Sequence, residues 1–177
     1  MDQSDRHAAA HPALHAAAPP APEGLTIGHV HLRVSDLERS IAFYRDVLGL
    51  DVLARFSSGA AFLGADGYHH HIGLNTWASL GASPPPSGHT GLYHVAFLYP
   101  DRPALGAAIK RVQDAGIALT GAADHGVSEA VYLDDPDRNG IELYRDRARA
   151  DWPVNADGTI RISNQRLDVA ALVAEAA

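Results

Sequence analysis

From Thr26 onward apolar and polar positions alternate, and Ile27, Val30, Leu32 and Val34 predict a strand. The period then lengthens to that of a helix. Leu37, Ile41, Tyr44 and Leu48 recur at helical spacing, Ser35 and Glu38 form a Ser-x-x-Glu capping box, and Gly49 supplies a stop. Three more strands are expected over 50–57, 60–65 and 69–77, punctuated by Gly59, Gly64 and Gly67. A linker from Gly81 to Gly91 follows, with three consecutive prolines at 84–86, and the pattern then restarts. The second copy reads as a strand over 92–99 and a helix opened by Asp101 and Pro103, with Leu105, Ile109 and Val112 on one face and Gly116 at its end. Strands near 117–122, 128–133 and 140–145 complete it. The order predicts an α+β domain over 25–148, built of two βαβββ modules at 26–80 and 90–147. Each module is too small to bury its own sheet, so the two are expected to pair into one curled eight-stranded mixed sheet around a cleft.

The flanks differ in texture. Residues 1–24 are almost entirely Ala, His, Pro, Asp and Ser, with Leu14 the only large aliphatic beyond Met1, which predicts a disordered tail. His7, His11 and His15 would share a face if that tail were helical. Residues 149–177 read as an extension ending in a short helix, with Leu167, Ala171 and Ala174 on one side, placed to cover the cleft or to meet another subunit.

Composition narrows the chemistry. A length of 177 residues suits one domain or two small modules sharing a core. Net charge is -7 and no run of Lys or Arg exceeds two, which argues against nucleic-acid and anionic-membrane partners and for a small ligand. The absence of cysteine removes disulfides, thiolate metal sites and thiol nucleophiles, leaving nitrogen and oxygen donors. No apolar stretch approaches the roughly 20 residues that span a bilayer, and the N-terminus lacks a basic region followed by an apolar core, so a cytoplasmic location is expected.

The internal repeat places the candidate ligands. Gly28-His29-Val30-His31-Leu32-Arg33 lies over Tyr93-His94-Val95-Ala96-Phe97-Leu98 at an offset of 65, with the first histidine and the valine after it in register. Strand parity puts His29, His31 and Arg33 on one face and Val30, Leu32 and Val34 on the other. By the same parity His94 and Ala96 point inward, and Glu142 points away from Ile141 and Leu143. Two imidazoles and a carboxylate on one face of a metal leave three positions open, enough for a bidentate substrate and dioxygen. A structural zinc site would instead close its shell with four protein ligands. His29, His94 and Glu142 are therefore the candidate ligands of a non-haem Fe(II) site, with Mn(II) as the alternative ion.

From Ile27 to Arg147 the chain resembles the vicinal oxygen chelate superfamily. His29 is similar to the first ligand of that family, His94 in Tyr-His-Val-Ala-Phe to the second, and Glu142 in Asp-Pro-Asp-x-x-x-Ile-Glu-Leu to the last. The superfamily includes glyoxalases, epimerases, fosfomycin-modifying transferases and metal-free antibiotic-binding proteins, so other residues must select the reaction. His125, Val131-Tyr132, Asp135-Pro136 and Glu142 resemble the signature of extradiol ring-cleaving dioxygenases. Arg138 departs from it where Gly or Pro is preferred, and so does Ala123. The resemblance implies that His125 and Tyr132 hydrogen-bond the bound catecholate and oxygen. It also implies that a histidine of the run His69-His70-His71 moves the substrate proton, with His70 the first choice and His71 the second, and with Asn75 and Trp77 continuing the face of His71. The stretch His-His-His-Ile-Gly-Leu-Asn-Thr-Trp and an Asp-x-x-Arg-x-x-Trp-Pro passage at 146–153 are most similar to small single-domain catechol 2,3-dioxygenases; larger extradiol enzymes carry a second copy of the domain that these residues lack. By resemblance the partners are a small aromatic diol, dioxygen and a second subunit in a homodimer, and the product is a 2-hydroxymuconic semialdehyde. Two alternatives remain at this stage: a four-ligand isomerase of the glyoxalase type that recruits His71, and a metal-free antibiotic-binding protein.

Overall fold

The two periodicities of the sequence become two copies of one motif. The computed structural model describes residues 19–176, so His7, His11, His15 and most of the expected tail lie outside the described residues. In the first module β1 (Val30–Arg33) leads into α1 (Leu37–Ala42), which continues as a π-helical turn over Phe43–Val47, and β2 (Asp51–Phe56), β3 (Ala60–Gly64) and β4 (Ile72–Asn75) follow. The second module repeats the order with β5 (Val95–Leu98), α2 (Arg102–Asp114), β6 (Gly121–Asp124), β7 (Ser128–Asp134) and β8 (Gly140–Asp146). A final helix, α3, spans Val169–Ala174. Among the described residues no helix is long and apolar enough to cross a membrane.

Each module forms a four-stranded mixed sheet, ordered β1-β4-β3-β2 and β5-β8-β7-β6, with the first pair of each parallel and the rest antiparallel. The α+β class and the paired βαβββ modules match the expectation, but the eight strands lie in two separate sheets whose edge strands β1 and β5 are not joined to one another. Three boundaries also move. The sixth strand begins at Gly121 rather than near 117, the fifth at Val95 rather than 92, and His69 to His71 form a loop before β4 instead of opening it.

One core serves both modules. Val34, Ile41, Tyr44, Leu63 and Leu74 of the first pack with Leu105, Ile109, Leu133, Ile141 and Leu143 of the second, each at most 1% exposed. Full burial of such a side chain contributes about 1.5–3 kcal/mol. Leu172 of α3 joins the same core by lying on α2, where a side chain at Gly106 would collide with the Leu172 carbonyl. The terminal helix thus covers α2, not the cleft.

A polar clamp holds the modules together at the Asp-Pro-Asp turn between β7 and β8. Asp137 accepts hydrogen bonds from the Ser35 amide at 3.0 Å, from the Ser35 hydroxyl at 2.5 Å and from Arg39 Nη2 at 2.6 Å. Asp135 accepts from the hydroxyl of the fully buried Tyr44 at 3.0 Å and from the amides of Asp137 and Asn139 at 2.8 Å each. This network undoes the expected capping box. With Ser35 taken by a carboxylate, a stronger acceptor than a neutral group, Asp36 becomes the cap and accepts from the Arg39 amide at 3.1 Å, while Glu38 pairs with Arg55 at 2.7 Å. Within the turn Arg138 sits at φ 63, in the left-handed region that glycine adopts at less cost.

Candidate active site

The second module assembles a connected set of four side chains. In the sheet register Glu142 of β8 lies beside Ala96 of β5 and Tyr132 of β7, on the face opposite Ile141 and Leu143. His94 immediately precedes β5, and Gly140 admits its approach: a side chain at 140 would collide with the Tyr93 carbonyl and crowd the His94 Cβ. His94 Nε2 consequently stands 2.9 Å from Glu142 Oε2, and the glutamate side chain is only 13% exposed. The Tyr132 hydroxyl donates to the other carboxylate oxygen, Oε1, at 3.1 Å, and lies 2.8 Å from His125 Nε2.

Desolvation first, and then the charge of Glu142 and the hydrogen bond to it, push the Tyr132 hydroxyl up to about 12, so it remains a proton donor at any working pH. His125 Nδ1 lies 2.8 Å from the Ser163 carbonyl, which can only accept, and so this nitrogen carries a proton. If His125 is neutral, its Nε2 and Glu142 Oε1 compete for the single Tyr132 proton. A proton on Nε2 satisfies every member of the chain. The Tyr132 hydroxyl is thus the one link between Glu142 and His125 in this chain of hydrogen bonds.

Sequence reasoning missed what holds His125. The extension after β8 returns past β6, where Gln165 and Asp124 exchange backbone bonds of 2.9 Å, and this return presents the Ser163 carbonyl and Asn164. The resulting cleft, about 530 Å³, is lined by Tyr93, His94, Thr120, His125, Tyr132 and Asn164 among others, all from residues 93–164. No local pattern marks Thr120 or Asn164, because contacts distant in sequence bring them to the cleft.

The other candidates gather on the first module. The His29 and His70 rings lie 4.5 Å apart, and His70 packs on Phe62 at 4.7 Å. Phe62 in turn meets the edge of His31 at 5.7 Å; its place mid-strand in β3 is legible from the apolar run 60–63, but its role is not. Desolvation, then the neighbouring His29 and His69, hold the His70 imidazole below its ordinary value. His71 turns elsewhere: its Nδ1 accepts from the Ala65 amide at 3.3 Å and its ring packs on Tyr68 at 4.8 Å. His69 Nδ1 lies 2.8 Å from His70 Nδ1. Asn75 and the exposed Trp77 attend His31, with Asn75 Nδ2 3.0 Å from His31 Nε2 and the Trp77 ring 5.8 Å away, rather than continuing a face with His71.

Register also locates the first-module counterpart of Glu142. Ile72 pairs with Val30 as Ile141 pairs with Val95, which makes Gly73, not the histidine run, the equivalent position. A Cβ there would stand 2.9 Å from the His31 ring, so His31 fills the space a fourth ligand would need. The donors themselves, imidazole nitrogen and carboxylate oxygen without thiolate, suit Fe(II) or Mn(II). His94 and Glu142 already converge, whereas His29 belongs to the other cluster, and among the described residues no three His, Cys, Asp or Glu side chains gather closely enough to hold an ion.

The family model of the Glyoxalase/Bleomycin resistance protein/Dioxygenase superfamily matches residues 26–143. The chain belongs to this superfamily. Within it, the chain is 43% identical over 154 residues to Catechol-2,3-dioxygenase of Bacillus subtilis (strain 168), covering 87% of this chain and 53% of that protein. It is 31% identical over 120 residues to Biphenyl-2,3-diol 1,2-dioxygenase 3 of Rhodococcus globerulus, covering 68% of this chain and 63% of that one. The chain therefore spans only 53% and 63% of the length of these two dioxygenases. Among solved structures of the superfamily, a glyoxalase/dioxygenase from Nostoc punctiforme superposes with a TM-score of 0.61 at 25% identity, covering 75% of this chain and 99% of that chain.

Proposed function

We propose that this domain opens the ring of catechol or a substituted catechol beside its two hydroxyls, combining one dioxygen with one diol to give a 2-hydroxymuconic semialdehyde. The observation that carries the proposal is the His94–Glu142–Tyr132–His125 chain, of which His94, Tyr132 and His125 line a cleft of about 530 Å³. The two relatives named for vicinal aromatic diols point the same way.

His94 and Glu142, which already converge, are the residues that would hold Fe(II) or, alternatively, Mn(II), with His29, which lies in the other cluster in this structure, as the third ligand the resemblance implies. When bound, the ion supplies a centre where diol and dioxygen meet and exchange electrons. The protein positions and protonates. Tyr132 ties down Glu142 Oε1 and so leaves Oε2, on the His94 side, as the oxygen that would be free to meet an ion. His125, fixed by the Ser163 carbonyl, and Tyr132 hold or return a proton at the substrate side of the carboxylate. His70 is the proposed acid–base group. Its lowered affinity for a proton keeps it neutral near pH 7, and in the tautomer whose Nδ1 donates to His69 Nδ1 its Nε2 has the lone pair that would accept a diol proton. His71 is the poorer candidate, because its Nδ1 is already committed to the Ala65 amide. Gly73 at the position equivalent to Glu142 weighs against a four-ligand isomerase.

The test is anaerobic reconstitution with Fe(II), addition of catechol and air, and parallel recording of oxygen consumption and the yellow ring-opened product. The expected result is one oxygen consumed per catechol, lost with the metal in Glu142→Ala and lost with metal retained in His70→Phe. Bound iron without oxygen uptake would overturn the proposal in favour of the oxygen-independent branches of the superfamily.

A further inference from the structure

The turn that carries His125 is held by groups that the proposed function does not use. His125 sits in the hairpin turn between β6 and β7, which its own amide closes by donating to the Ser128 carbonyl at 2.9 Å. Gly126 occupies φ 78, the left-handed region, and a side chain there would stand 3.3 Å from both Pro153 Cγ and Ser163 Oγ. Asp124, the last residue of β6, braces the turn with its carboxylate. Its Oδ1 accepts from the Gly126 amide at 2.8 Å and its Oδ2 from Arg147 Nη2 at 2.6 Å. Arg147 is anchored in turn. Its amide donates to the Val127 carbonyl at 2.8 Å, its carbonyl accepts from Trp152 Nε1 at 2.8 Å, and the same Nη2 lies 3.4 Å from Oε1 of the buried Glu129.

Glu129 does not depend on Arg147. Arg145 Nη2 lies 2.6 Å from its Oε2 and Arg102 bonds its Oε1, so two closer cations already neutralise it. The short, charge-assisted contact with Asp124 is therefore the principal bond of the Arg147 guanidinium. The C-terminal extension meets the other side of the same turn. The Ser163 amide donates to the His125 carbonyl at 2.9 Å, the Ser163 hydroxyl donates to the Asp124 carbonyl at 3.3 Å, and the Ser163 carbonyl lies 2.8 Å from His125 Nδ1. The imidazole is thus suspended between Ser163 on one nitrogen and Tyr132 on the other, both at 2.8 Å, and it reaches both only while the turn beneath it stays in place. We infer that Asp124 and Arg147 are positioning residues for His125. Their ion pair locks the hairpin turn against the extension and so holds the imidazole with its Nδ1 proton on Ser163 and its Nε2 at the Tyr132 hydroxyl. Neither residue lines the cleft, so their effect on the reaction passes through His125. The inference rests on the proposed function for its kinetic consequence but not for the placement of the ring.

Two variants test it. Arg147→Met removes the guanidinium and keeps the stem, with Glu129 still paired to Arg102 and Arg145; Asp124→Asn keeps an acceptor for the Gly126 amide and removes the charge that Arg147 meets. Should Arg147→Met not fold, Asp124→Asn carries both measurements. The ring is observed in the full chain before iron is added, by two-bond 1H–15N NMR of histidine-labelled protein, with the His125 signals assigned by their absence from His125→Phe. Wild type should show His125 protonated at Nδ1 in a single state, and both variants should show its nitrogens averaged between tautomers. Catechol turnover by the iron-loaded protein should fall about tenfold to a hundredfold in each variant, as a small misplacement of a reacting group predicts, with KM changed less than about threefold. In the His125→Phe background the second substitution should cost less than about twofold, because a residue that acts only through His125 has nothing further to lose there. An unchanged His125 ring in the variants would overturn the inference. So would an altered ring with turnover within about threefold of wild type, or a full loss that persists without His125, which marks a general effect on the fold. If wild type cleaves no catechol, an altered ring refutes the reaction and leaves the positioning standing, whereas an unaltered one refutes both.

Discussion

Replacing Tyr132 with Phe isolates the hydroxyl that links His125 to Glu142. The phenyl ring keeps its packing on Gly121 and its place 5.8 Å from the His94 ring, so the fold has little to lose. What disappears is the donor 3.1 Å from Glu142 Oε1 and the partner 2.8 Å from His125 Nε2. A hydrogen bond to a charged group contributes about 1.5–3 kcal/mol. At 1.4 kcal/mol per decade this is roughly a 10- to 150-fold effect, comparable with the 10- to 100-fold expected for groups that orient a metal ligand. The loss should fall on Fe(II) affinity and turnover, because an untethered Oε1 lets the carboxylate rotate away from His94. It should not fall on stability, because Glu142 retains some access to water. An anaerobic Fe(II) titration and steady-state oxygen uptake at saturating catechol read the two quantities, with thermal unfolding as the control. Affinity and turnover both within threefold of wild type would refute the assigned role of the hydroxyl.

Asp137→Ala removes the acceptor for the Ser35 amide, the Ser35 hydroxyl and Arg39; leaving these donors unmatched should cost about 2–4 kcal/mol. That corresponds to a fall in Tm of roughly 4–16 °C, and a fall under 2 °C would remove the clamp from the account. Arg138→Gly relieves a left-handed residue at about 1–2 kcal/mol and adds chain freedom at about 0.5–1 kcal/mol, so Tm should rise slightly, whereas Arg138→Pro should lower it because proline cannot adopt φ 63. A near-ultraviolet difference titration of wild type against Tyr132→Phe should show a tyrosinate step at about 12. Because the folded value lies above the unfolded 10.0, ionising Tyr132 is harder in the fold than in the unfolded chain, so stability is undiminished below pH 10 and falls as pH rises through about 12, a fall absent from Tyr132→Phe; a difference step near 10 would contradict the burial and the Glu142 contact.

Patterning revealed the modules because Leu32, Val34, Ile141 and Leu143 obey the strand period and Leu105, Ile109 and Val112 the helical one, and these residues do form the shared core. His94 and Glu142 were legible from the same strand parity, and Tyr132 and His125 from the resemblance to the extradiol signature; the structure joins the four in one hydrogen-bonded chain. Where the sequence misled, a distant contact decided between locally equivalent choices. Ser35 and Asp36 are both competent caps, and Asp137, 102 residues from Ser35, takes the first and leaves the second. The histidine run reads as strand by composition, yet it forms a loop in which the Ala65 amide bonds to His71 and His70 lies beside His29. Gly73 as the counterpart of Glu142 follows from sheet register, which a repeat aligned on its first strands does not fix at its last.

The α1 clamp changes what the proline-rich linker is for. Ser35, Arg39 and Tyr44 grip a turn about a hundred positions away, and a single core closes beneath them, so the peptide through Pro84, Pro85 and Pro86 does not hold the halves together. It only keeps them at high mutual concentration during folding. A chain nicked by protease in that exposed stretch would persist as a non-covalent pair of fragments with its secondary structure intact, whereas either fragment produced alone would have no partner for its apolar face and would aggregate.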